Sequence, residues 1–133
     1  MAKKTETKKT ETKKVEIKWT NKPEGNNYSA ALSYLSLIYD EKRAANYVKK
    51  LEKAMLSEFL AKDIFRASTL PLLGISNIHV KRDIQKIQLA EKLSPLLLVR
   101  DSDSGRVIIA DGYHRLCAIY SYDEDAVILG KIV

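Results

Sequence analysis

The chain has 133 residues, 45% hydrophobic and 30% charged, which suits one domain, because two cores would each bury little apolar surface, and excludes wholesale disorder. No run approaches the roughly 18–20 apolar residues of a membrane span, MAKKTETKK is not the pattern of a secretory signal, and the single cysteine, Cys117, excludes an internal disulfide, so a cytoplasmic protein is expected. The net charge of +6 invites a nucleic-acid reading, yet residues 1–14 hold six of the 23 Lys/Arg and two of the 17 Asp/Glu, leaving a body of 17 bases against 15 acids.

Residues 1–14 repeat Lys-Lys-Thr-Glu-Thr twice and close on Lys-Lys, with no hydrophobic residue between Ala2 and Val15. Such a segment buries too little to offset the entropy of ordering, and it reads as a disordered basic leader. The alternative is a cationic arm for phosphate backbones, the only route to nucleic acid here; its interleaved glutamates dilute the field and no aromatic offers stacking. Residues 15–27 alternate briefly and break at Pro23 and Gly25, as a linker or a short strand with a turn.

Tyr28, Ala31, Leu32, Leu35 and Ile38 then fall on one helical face, with Asn27 as a cap. Ala44, Val48, Leu51 and Met55 mark a second helix, acid at Asp40-Glu41 and lysines at its end. Together these predict a helical hairpin over about 28–55. Residues 57–64 fit either a strand or the start of a helix, and Leu70-Pro71 must break whatever precedes it. Residues 77–89 are helical, capped by Asn77. Leu96–Val99 is a buried strand, Asp101–Gly105 a turn, and Arg106–Ala110 a second strand making a hairpin with the first. A helix over 113–122, with Leu116, Ile119 and Tyr120 inward, and a strand over 126–133 complete an α+β chain.

The chemistry concentrates in Asp111-Gly112-Tyr113-His114-Arg115. An apolar strand runs into Asp-Gly and turns directly into a helix. Gly112 lets backbone amides approach a ligand, the first amides of the helix lack intrahelical acceptors, and the dipole there favours anions. His114 and Arg115, in the first turn, add charged donors for a phosphate. Asp111 either caps the helix, holds a phosphate-bound metal, or takes a proton from an attacking hydroxyl.

The run from Ser94 to Val133, through SPLLLVRD, RVIIADGYHRLCA and AVILGKIV, resembles the ParB/sulfiredoxin superfamily. Asp111–Arg115 stands where that superfamily carries its phosphate box. Within it, the chain is most similar to small bacterial ParB-like proteins with an Asp-Gly-Tyr-His-Arg box, a similarity extending back through Phe59–Ala67 and Leu70–Leu73. The resemblance implies a single small mixed-sheet domain over 15–133, with the hairpin leading a sheet core at about 57–133. It further implies nucleotide phosphates held by Gly112, His114 and Arg115. Sulfinic-acid repair is not expected, because Tyr113 occupies the place of the sulfiredoxin cysteine and Cys117 lies a helical turn away. Chromosome partitioning is not expected either, because no helix-turn-helix follows the closing strand.

Lys62, Asp63 and Arg66 are further candidates, sharing a helical face that reaches a phosphate or second substrate, against their plainer role as surface charges. His79 and Lys81-Arg82-Asp83 read as solvated helix surface, and Trp19 as an anchor for the N-terminal segment. The expected function is nucleotide-phosphate binding, with magnesium accompanying the nucleotide and phosphotransferase or hydrolase chemistry centred on Asp111. The alternative is a non-catalytic module for a protein partner or DNA.

Overall fold

The computed structural model describes residues 16–133, and the leader lies outside the described residues. Strand β1 (Lys18–Trp19) precedes helices α1 (Gly25–Ile38) and α2 (Glu41–Lys53). Then follow β2 (Ser57–Leu60), α3 (Ala61–Ser68), α4 (Ile78–Gln88), β3 (Lys92–Leu93), β4 (Leu96–Asp101), β5 (Arg106–Asp111), α5 (Tyr113–Tyr122) and β6 (Val127–Ile132). The class is α+β, as expected.

Four strands form one mixed sheet in the order β2-β6-β4-β5, in which β6 is antiparallel to β2 and parallel to β4. Strand β4 is apolar throughout Leu96–Val99, and all four residues are buried because both faces of the sheet are covered. Leu96 and Leu98 face a core with Ile64, Val80, Ile87, Leu116, Ile119 and Ile128, contributed by α3, α4, α5 and β6. Leu97 and Val99 face a second core with Ala31, Leu35, Ala44 and Leu51 of the α1–α2 hairpin. The alternation of β4 thus splits one strand between two cores.

Several local expectations shift by a few residues. Helix α1 starts three residues early: Asn27 stands inside it and accepts a hydrogen bond from the Glu24 backbone N–H at 2.8 Å. The second helix stops at Lys53, so Met55 lies beyond it and is 85% exposed. The ambiguous 57–64 segment is both alternatives in succession, β2 and then the first turn of α3. Trp19 does anchor its segment: β1 pairs in parallel with β3, and the indole packs against the first core. Among the described residues no helix is long and apolar enough to cross a membrane.

Candidate anion site between two helices

Strand β5 enters the turn through an irregularity: Leu97 faces Asp111 but Leu98 faces Ile109, leaving Ala110 as an extra residue. A bulge of this kind re-aims the end of a strand. Gly112 then adopts φ +112°, and a Cβ there would lie 2.7 Å from Leu96 Cγ and 2.9 Å from Arg115 Nη2. Only glycine meets both demands. The N-cap position of α5 is held by Gly112, which has no side chain to offer, so Asp111 is not the cap.

Asp111 instead accepts a hydrogen bond from Arg115 Nη2 at 2.9 Å, one helical turn on, in a pair whose side chains are about 15% exposed. The same Nη2 donates to the Pro95 carbonyl at 3.3 Å, and Arg115 Nε is buried without a partner. The pair fixes the guanidinium beside the turn, with its Nη2 directed at the protein itself. Tyr113 is tied down by its hydroxyl, which donates to the Pro71 carbonyl.

A cavity of about 230 Å³ opens at this turn, lined by Asp111–Arg115 on one side and by His79, Arg82, Asp83 and Lys86 of α4 on the other. These α4 residues are spaced i, i+3, i+4, i+7, which is one face of a helix. Asn77 sets the phase of that face by accepting from the His79 and Val80 amides, while Val80 and Ile87 are buried in the core. The rings of His79 and His114 meet across the two helices with centroids 4.8 Å apart. Three permanent cations, Arg82, Lys86 and Arg115, stand against two carboxylates, one of them paired.

The electrostatics are coupled. Burial holds His114 below the usual imidazole range; His79 and Arg115 add to the depression and Asp83 opposes it. Burial likewise raises the Asp83 carboxyl, against the pull of Lys86, Arg115, His114 and His79. The thiol of Cys117 is fully buried and raised by desolvation, which suits a packed side chain and not a nucleophile.

The turn residues Asp111, Gly112, His114 and Arg115 therefore share one cavity, but Lys62, Asp63 and Arg66 do not join them. The Lys62 backbone bonds to the Glu124 carbonyl beyond the C-terminal end of α5, roughly 15 Å of helix from the turn. Its ammonium pairs with Asp125 at 2.8 Å, and Arg66 lies 3.6 Å from Asp63 on an exposed surface. His79, Arg82, Asp83 and Lys86 are the residues that sequence reasoning missed. A larger cavity of about 510 Å³ lies elsewhere and carries Glu16, Glu58 and Asp123, a sign of charge unsuited to phosphate. Asp111 is engaged by Arg115, and among the described residues there is no group of three or more His, Cys, Asp or Glu placed to hold a metal ion.

Comparisons of the chain with protein-family models, with curated proteins and with solved structures gave no match.

Proposed function

We propose that the protein binds the phosphate end of a nucleotide in the cavity between α4 and α5, and that it is a binding module there. The observation that carries this reading is the convergence of an uncapped helix N-terminus with Arg82, Lys86 and Arg115 around one small cavity. Backbone N–H groups and the helix dipole favour an anion, and the cations supply charge-assisted donors. The kinship proposed with the ParB/sulfiredoxin superfamily is in keeping with this placement of the box.

Binding is favoured over turnover by the state of Asp111. A general base needs a carboxylate free to take a proton from its substrate, whereas this one is committed to Arg115. Asp111 acts as a positioning residue. Magnesium, on this reading, accompanies the nucleotide and is not held by the protein. The body's near balance of base and acid does not favour the alternative of a DNA module.

Isothermal titration with ATP, CTP, GTP and ADP, each with and without magnesium, tests the reading. Heat of binding and thermal stabilisation are expected with at least one. Arg82→Ala and Lys86→Ala should each weaken affinity about tenfold, as for loss of a charge-assisted hydrogen bond. No heat and no stabilisation with any nucleotide contradicts it.

A further inference from the structure

We infer that the pocket selects a dianionic terminal phosphate, a monoester over a diester, and that the His79–His114 pair takes up a proton from solvent as the dianion binds. This rests on the anion-binding reading above and assigns its ligand class.

Size limits the ligand first. Pockets that enclose a small molecule run to roughly 300–1,000 Å³, and this cavity has about 230 Å³. It accommodates a phosphoryl group while the remainder of the ligand stays outside. Tyr113, the aromatic residue other than histidine in the lining, has its hydroxyl bound to the Pro71 carbonyl, which ties the ring to the α3–α4 loop.

Charge then separates the classes of phosphate. With neutral imidazoles, three cations against two carboxylates leave one positive charge in surplus. That surplus matches a diester, which carries one negative charge, and falls one short of a monoester dianion. The two histidines supply the difference. They come from different helices and meet ring to ring at 4.8 Å. The groups facing them are Arg82, Asp83 and Lys86 from α4, Tyr113 and Arg115 from α5, and Asp111 at the end of β5. Desolvation and cationic neighbours disfavour a proton on His114; a dianion seated among the same groups reverses the balance, because a nearby opposite charge stabilises imidazolium. Two imidazolium rings at this separation repel, so the first proton belongs to the pair and not to either ring.

The test uses the full chain, calorimetry, and three probes: sulfate, phenyl phosphate and dimethyl phosphate. Sulfate keeps its two charges throughout, whereas a phosphate monoester itself titrates near about pH 6. Sulfate affinity should rise about tenfold between about pH 8 and about pH 5.5, because binding is linked to proton uptake by the pair. Titrations in two buffers of different ionisation enthalpy should show net proton uptake. Phenyl phosphate should bind more tightly than dimethyl phosphate at about pH 7, and dimethyl phosphate should show little pH dependence. His79→Gln, at an exposed position of α4, should flatten the sulfate profile and reduce the proton uptake. Sulfate binding that is independent of pH and takes up no proton overturns the inference and leaves the anion pocket standing. Failure of all three probes to bind at any pH overturns both.

Discussion

Gly112 concentrates two constraints on one residue. Its φ of +112° is open to glycine alone, and the space a Cβ would need is taken by Leu96 and the Arg115 guanidinium. Gly112→Ala is expected to cost about 2–4 kcal/mol, combining backbone strain with overpacking, measured as a fall in urea-unfolding free energy. Asp111→Asn keeps the shape but leaves Arg115 without its anionic partner in a largely buried setting. A loss of about 2 kcal/mol in the same measurement is expected. If Asp111→Asn left stability unchanged, the positioning role assigned to Asp111 would be wrong. The glycine, histidine and arginine of the turn were legible in the sequence because strand, glycine and helix are contiguous there. The pairing of Asp111 with Arg115 was not singled out, although their i,i+4 spacing permits it. His79, Arg82, Asp83 and Lys86 carry a periodic signal too, but periodicity does not say that this face looks onto another helix rather than onto water.

At the scale of elements, part of the local chemistry was readable from neighbouring residues. Asp40 caps α2 by accepting from the Arg43 amide at 2.8 Å, and Asn77 caps α4 as its sequence position suggests. The start of α1 was misplaced because Asn27 looks like a cap yet serves from the third helical position, bonding back to Glu24. Strand β1 falls within the briefly alternating 15–27 segment, whereas β3 has no pattern of its own and exists through its pairing with β1. Tertiary contact also explains Lys131, which is only 8% exposed in β6. Its ammonium donates to Tyr28 Oη and to the Glu52 carbonyl, both at 3.0 Å, joining the sheet to both helices of the hairpin. Lys131→Ala should cost about 1–3 kcal/mol, through two partners left unmatched. Hydrogen exchange should show faster opening of α1 and α2 than of α5; unchanged exchange in the hairpin would remove Lys131 as its clamp.

Across the whole molecule, the expectation of an α+β chain with a hairpin on a small sheet agrees with the fold, since α1, α2, α4 and α5 carry a helical hydrophobic period and β4 is a continuous apolar run. Which face of β4 meets which helices depends on the parallel pairing with β6, a contact about thirty residues distant that no local pattern encodes. The pH response of stability is likewise collective. His114 titrates lower in the folded state than its unfolded value of about 6.5, so protonation is disfavoured by folding and stability declines as pH falls below that value. Asp83 has a raised folded pKa and acts in the opposite sense: its contribution is present at low pH and is lost as pH rises from about 4 through the folded value. On acidification from neutrality to about pH 5.5 the thermal midpoint of the free protein should therefore lose more, or gain less, than that of His114→Gln, and added sulfate should narrow the gap. Identical pH profiles for the two proteins would contradict the environment assigned to His114.

Whether phosphate is held between α4 and the start of α5 can be read from the backbone amide resonances of the full chain as a nucleoside triphosphate is added. The largest shifts should fall on Gly112–Arg115 and on the α4 residues His79, Arg82, Asp83 and Lys86, with the α3 residues Lys62, Asp63 and Arg66 little changed. Shifts centred on α3, or none at saturating nucleotide, would contradict that placement.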